Sequence, residues 1–188
     1  MKIGVLTSSR ADYGIYLPLL KKLKNDNFFN LEIIAFGTHL SENHGYTLKN
    51  IQSDGFEVKH KLKTIPKGDS PTDISLAIGE TIKTFSAFWD KNKFDLVMAL
   101  GDRYEMFAAV MASVPFQVKI AHIHGGETTT GAIDDVFRHC ITHASELHFA
   151  SAEVYKKRIV ELTGKKAGVY NILITTVKKV IVKPFVKI

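Results

Sequence analysis

The densest group of reactive side chains lies in the run Ala121-His122-Ile123-His124-Gly125-Gly126-Glu127-Thr128-Thr129-Thr130-Gly131. Two histidines and a glutamate flank paired glycines just after an apolar stretch. Histidine titrates near neutral pH, and a carboxylate in a crevice can be tuned toward it, so the set suits proton transfer. His-x-His also suits a metal. On a strand, however, His122 and His124 would share one face, and Glu127 would need the loop to fold back. No further ligand stands at metal-binding spacing, so proton transfer is the more economical reading and no metal is expected.

Three other segments carry chemistry. In Asp134-Asp135-Val136-Phe137-Arg138-His139, Asp134 and Arg138 are four apart, as are Asp135 and His139, so each pair shares a helix face. Either Asp134 faces a crevice and is oriented by Arg138, or the two aspartates simply complement a helix N-terminus. In Gly101-Asp102-Arg103-Tyr104-Glu105, glycine permits a sharp turn after a strand. Asp102 would then face the crevice and Arg103 a phosphate; the alternative is an Asp102 cap with an Asp102–Arg103 surface pair. In Thr7-Ser8-Ser9-Arg10-Ala11-Asp12-Tyr13-Gly14, hydroxyls and amides at a strand–helix junction, with Arg10 beside them, favour an anion such as phosphate. The rival reading has Ser9 or Asp12 capping the helix and Arg10 in solvent, and on this loop alone it ranks slightly ahead. The dinucleotide fingerprint G-x-G-x-x-G is absent, so no nicotinamide cofactor is expected. His143 and His148 read as structural or surface residues. The one cysteine, Cys140, reads as a small core residue and allows no intrachain disulfide.

The elements that must position these residues alternate. Strands are predicted at 2–7, 31–36, 56–62, 94–100, 117–123 and 146–150. Helices are predicted at 13–25, weakly up to about 52, from 71, and at 104–113, 133–143 and 153–162. The helix after Ser70 has the clearest start, with Ser70 as N-cap, Pro71 in the first turn and Asp73 completing a capping-box pattern. Its buried stripe is predicted as Ile74, Ile78, Ile82, Phe85 and Trp89. This alternation predicts an α/β fold, a Rossmann-like parallel sheet with helices on both faces. Ligands bind beyond the carboxyl ends of such strands, where the segments Thr7–Gly14, Gly37–Ser41, Gly101–Arg103 and His122–Thr130 fall.

Taken together, TSSRADYG, GDRYE, AHIHGGETTTGAIDD and RHCIT resemble the hydrolysing (non-phosphorylating) UDP-N-acetylglucosamine 2-epimerases, in particular the branch serving sialic and legionaminic acid biosynthesis. The resemblance covers residues 1–163, which would form a Rossmann-like N-terminal epimerase domain, half of a glycosyltransferase-B-like fold. It implies loss of UDP from a UDP-hexosamine with inversion at C2, through a glycal formed by anti-elimination and then hydrated. It implies no cofactor and no catalytic metal. Arg10 and Arg103 match positions that contact UDP. Asp102 and Asp134 match acidic positions of the proton transfers, and Arg138 matches an active-site arginine. His124 stands where many members carry glutamate, a departure associated with the 2,4-diacetamido-2,4,6-trideoxy sugar. Glu127 is retained. The resemblance also implies a homodimer in full-length members. The competing reading is a non-catalytic UDP-sugar-binding module.

Charge distribution argues against a nucleic-acid partner. Of 25 Lys+Arg, six follow Glu161, so the body balances 19 positive against 19 negative residues. The excess belongs to residues 164–188, read as a divergent basic tail beyond the domain, with truncation or a frameshift as its expected origin. Neither a signal peptide nor a membrane-spanning run is evident in the sequence, so a soluble cytoplasmic protein is expected.

Overall fold

The computed structural model describes residues 1–64, 68–129 and 131–165, together with the backbone of 168–169. Seven parallel strands form one sheet: β1 (Lys2–Thr7), β2 (Asn30–Phe36), β3 (His60–Leu62), β4 (Leu96–Leu100), β5 (Ile120–Ile123), β6 (Leu147–Ala150) and β7 (Gly168–Val169). Their order is β3-β2-β1-β4-β5-β6-β7, so the chain reverses direction across the sheet between β1 and β4. That reversal opens a crevice at the carboxyl ends of these two strands.

Alternation along the central strands sorts side chains to two cores. Ile3, Val5, Leu96, Met98 and Leu100 join one cluster with Tyr16, Leu20 and Leu23 of α1 (Arg10–Lys24) and Ile51 of α2 (Leu48–Ser53). Leu6, Val97 and Ala99 join the other with Phe85, Phe88 and Trp89 of α3 (Pro71–Lys91), Met106 and Val110 of α4 (Tyr104–Met111) and Ile141 of α5 (Asp134–Ala144). Both faces of the sheet therefore carry helices, as expected. A further helix, α6 (Glu153–Thr163), packs on α5 and β6.

Local differences from the sequence pattern have local causes. Helix α1 starts at Arg10 because Ser9 and Asp12 close a capping box, three residues ahead of the first apolar repeat. Ser70 does cap α3 by accepting from the Asp73 amide, but the Asp73 carboxylate takes the Ser70 hydroxyl rather than returning to the backbone. The fully sequestered α3 positions are Ala77, Thr81, Phe85, Phe88 and Trp89, while Ile74, Ile78 and Ile82 are half-buried. Strand β3 pairs over only three residues, and β5 starts late because Val114–Phe116 forms a 3₁₀ turn and Gln117 takes a left-handed backbone, φ 54°. Past Gly164 the sheet gains β7, paired parallel to β6 through Phe149–Gly168 and Ala150–Val169, so the pattern continues beyond the expected boundary at 163. The rest of the proposed tail lies outside the described residues. Among those described, no helix is long and apolar enough to cross a membrane.

Candidate active site

The site is built on the turns leaving β4 and β5 and on the first half of α5. Gly101 takes φ +77°, which a glycine adopts without strain, and the chain turns there so that Asp102 leaves the sheet edge. Arg138 of α5 is only 5% exposed and spends its guanidinium on three loop groups. Its Nη2 pairs with Asp102, its Nη1 donates to the His124 carbonyl at 2.9 Å, and Nη1 lies 3.5 Å from Glu127. Burial pushes the Asp102 carboxyl upward; Arg138 opposes this, while Asp134 and Asp135 reinforce it, and the net shift is upward. Asp102 is thereby brought toward the range in which a carboxyl can exchange protons near neutrality.

His124 does not share a face with His122. Strand β5 ends at Ile123, and His124 takes φ +64°, left-handed for a residue with a Cβ, a strain of about 1 kcal/mol or more. The loop folds back as the metal reading required, but it makes a dyad rather than a metal site. His124 Nδ1 lies 2.8 Å from Glu127 Oε1, and the same oxygen accepts from Ser151 at 2.5 Å. A carboxylate oxygen only accepts, so Nδ1 carries the proton and Nε2 is left as the basic nitrogen of a partly exposed ring. Gly126 makes this folding feasible. A Cβ there would sit 2.5 Å from the Tyr155 carbonyl and 2.8 Å from Ile159 on α6. Arg158 of α6 also clasps the Gly126 carbonyl at 2.6 Å. Among the described residues no group of three or more His, Cys, Asp or Glu side chains is placed to hold a metal.

Other expected partnerships are replaced. The Asp134–Arg138 helix pair does not form, because Arg138 is taken by Asp102; Asp134 remains close enough to act on the Asp102 charge. Asp135 caps the preceding loop by accepting from the Thr129 amide at 2.7 Å. Arg103 pairs not with Asp102 but with the fully buried Glu105, through Nε at 3.2 Å and Nη2 at 2.7 Å. In the first loop the Ser8 and Ser9 amides already serve the Asp12 carboxylate, at 2.9 and 3.1 Å, so they do not await an external anion. Arg10 stands exposed on the first turn of α1 with no ion pair or hydrogen bond among the described residues. The structure thus brings Asp102, His124, Glu127 and Arg138 into one network, places Asp134 beside it, and leaves Arg10 and Arg103 on neighbouring turns.

Several participants are absent from the sequence-based set. Ser151 follows β6 at the same sheet edge, which was its available signal. His39 is fully buried behind Thr7, with Nε2 2.9 Å from the Thr7 hydroxyl and Nδ1 2.8 Å from Thr47; burial pushes its pKa down to about 4. His148 is buried in β6, which fits the structural of the two readings given for it, and it takes no part in the network. A cavity of about 380 Å³ opens beside the crevice, lined by Thr38, Ser41, His44, Ile74, Arg103 and Tyr104 among others.

An all-parallel doubly wound sheet, with carboxylates, arginines and a histidine gathered at its switch-point edge, defines the Rossmann-like N-terminal half of a glycosyltransferase-B-like fold. Comparison with known proteins narrows that class. The chain belongs to the UDP-N-acetylglucosamine 2-epimerase family, whose model matches residues 21–183, past the point at which the motif resemblance ended. It is 37% identical over 171 residues to polysialic acid biosynthesis protein P7 of Escherichia coli, covering 91% of this chain and 44% of that one. It is 36% identical, with the same coverage, to the GDP/UDP-N,N'-diacetylbacillosamine 2-epimerase (hydrolyzing) of Campylobacter jejuni. In fold it matches the UDP-GlcNAc 2-epimerase of Neisseria meningitidis, crystallised with UDP-GlcNAc, at a TM-score of 0.78 and 19% identity over 100% of this chain and 54% of that one. The chain therefore spans about half the length of the curated relatives it matches.

Proposed function

We propose that this chain supplies the proton-transfer half of a hydrolysing UDP-N-acetylhexosamine 2-epimerase. The observation that carries the reading is the continuous network Asp102–Arg138–Glu127–His124 at the sheet edge. It offers two proton-transfer groups held by one arginine. In the reaction, a base takes the C2 proton, the C–H electrons form a C1–C2 double bond, and the C1–O bond breaks with its pair leaving on UDP. Water then adds across the glycal, its oxygen at C1 and a proton at C2 from the opposite face, giving a mannosamine-type sugar. Asp102 and His124 are the proton-transfer groups, Glu127 and Arg138 orient them, and Asp134 tunes Asp102. Arg10 and Arg103 meet the diphosphate, whose departing charge needs cationic stabilisation. The substrate is UDP-N-acetylglucosamine or its 2,4-diacetamido-trideoxy analogue, and the pathway is sialic or legionaminic acid biosynthesis in the cytoplasm. Support for this specificity comes from His124 and from the relatives whose names carry diacetylbacillosamine. A homodimer of the whole enzyme, without metal or nicotinamide, belongs to the same reading.

The test measures UDP release and UDP-sugar binding for this chain, alone and mixed with the remaining half of a matched relative. Release that needs the added half and is lost in His124→Gln and Asp102→Asn is the expected result. Turnover undiminished in both variants would overturn the assignment. Binding without any release would favour a non-catalytic UDP-sugar-binding module.

A further inference from the structure

His122 belongs to none of the groups assigned above, yet its ring touches the three segments that carry Asp102, the His124–Glu127 pair and Arg138. Its Nε2 lies 2.8 Å from the carbonyl of Gly101, the residue before Asp102. Its Nδ1 lies 3.1 Å from the Thr142 hydroxyl, one helical turn beyond Arg138 on α5. On the third side, the backbone of Gly125 closes on the ring so tightly that a Cβ there would stand 2.9 Å from Nδ1 and 3.1 Å from the Thr142 oxygen. The ring is fully buried.

We infer that His122 is a positioning residue: as a neutral Nε2–H imidazole it locks the Gly101–Asp102 turn to α5 and so sets the Asp102–Arg138 pair. The proton placement follows from the partners. A carbonyl only accepts, so Nε2 must donate to Gly101. A neutral ring then has a bare Nδ1, which must accept from Thr142. The Thr142 hydroxyl also lies 2.9 Å from the Arg138 carbonyl, and its single proton cannot serve both acceptors. Donation to the Arg138 carbonyl would require a proton on Nδ1 as well, hence a buried cation next to Arg138. Burial opposes that, pushing the His122 pKa down to about 3. Thr142 therefore points at the ring, and one imidazole holds the backbone beside the acid and the helix beneath the arginine. Glycine at 125 is the clearance that lets the His124–Glu127 loop pass over it.

The inference rests on the epimerase reading for its catalytic meaning, but its test does not depend on turnover. Nitrogen-15 spectra of histidine-labelled chain at pH 6 should show His122 neutral and protonated at Nε2. A Nδ1–H tautomer or a charged ring would overturn the proposal outright. In folded variants, His122→Phe should erase the separate, slowly exchanging Nη–H signals of Arg138. His122→Gln, which restores a donor to the Gly101 carbonyl, should recover them. Arg138 signals that survive His122→Phe refute the positioning role. If His122→Phe does not fold, Thr142→Val and Gly125→Ala carry the same comparison, and unchanged His122 and Arg138 signals in both would refute it. Should these signatures appear while UDP release is absent under every condition, the function fails and the positioning role stands.

Discussion

Replacing Gly126 by alanine probes the folding-back of the site loop more sharply than any charge substitution. Two penalties act there. Alanine at φ +75° costs about 1–2 kcal/mol for the left-handed backbone alone. The new Cβ would also stand 2.5 Å from the Tyr155 carbonyl, a backbone atom inside α6 that cannot swing aside, and 2.8 Å from Ile159. Forcing that separation open adds about 1–3 kcal/mol of overpacking. Gly45 supplies the control, since its φ of +79° is similar but a Cβ there meets nothing within 4 Å. Gly45→Ala should therefore lose only the backbone part, and Gly126→Ala about 1–3 kcal/mol more, equivalent to a further fall in Tm of roughly 2–12 °C for a chain of this size. Urea unfolding of both variants beside the parent measures the gap, with unchanged m-values as the check that the comparison is fair. Equal destabilisation of the two variants would show that α6 does not press on the loop, and the account of how Glu127 reaches His124 would fall with it.

Acid should weaken the fold early. Burial pushes His39, His122 and His148 down to about 4, 3 and 4, whereas unfolded histidine titrates near 6.5. Stability is then whole above about pH 6.5 and falls as the unfolded state takes up three protons that the native state refuses, at a limiting slope of about 4 kcal/mol per pH unit. Urea midpoints that stay level from pH 7 to 4.5 would contradict the neutral assignments. Glu32 adds a later loss: burial pushes its carboxyl up, but hydrogen bonds from His60, Lys59 and Lys2 outweigh this and hold it at about 2. Its contribution is complete above about pH 4.3 and vanishes as pH falls toward 2, a limb that Glu32→Gln should remove from the acid melting curve. Asp102→Asn strands the buried Arg138 charge and should cost on the order of 3 kcal/mol, read by calorimetry; a neutral outcome would mean that Glu127 alone suffices as its partner. Glu127→Gln leaves His124 in place but releases its tautomer, and UDP release by the reconstituted enzyme should drop roughly 10²-fold, with full activity counting against the dyad.

The strand–helix alternation was readable because each element carries its own period, and Ser9 and Ser70 announce helix starts by chemistry that acts within four residues. Partner choice was less readable. Arg138 has Asp134 one turn away on its own helix, yet it pairs with Asp102, thirty-six residues distant in sequence, because the sheet edge brings Asp102 over α5. His122 and His124 look equivalent as a pair on a strand, and only the left-handed step at His124 parts them. That step is strain tolerated by a residue with a Cβ, which no propensity argument selects. Ser151 is marked only by following β6 at the shared sheet edge, and Thr142 enters through helix packing, which leaves no local mark. The boundary at 163 follows the end of the motif resemblance and the change to a lysine-rich composition, whereas Gly168–Val169 continues the sheet through backbone pairing that neither encodes.

The left-handed backbone at His124 sets stability against retention of its imidazole. Glycine would sit there without strain, so His124→Gly would release about 1 kcal/mol of backbone strain while deleting the ring and its bond to Glu127. A laboratory selection that scores only expression or heat resistance would tend to erase this histidine, and keeping it would require pressure applied through the sugar nucleotide itself.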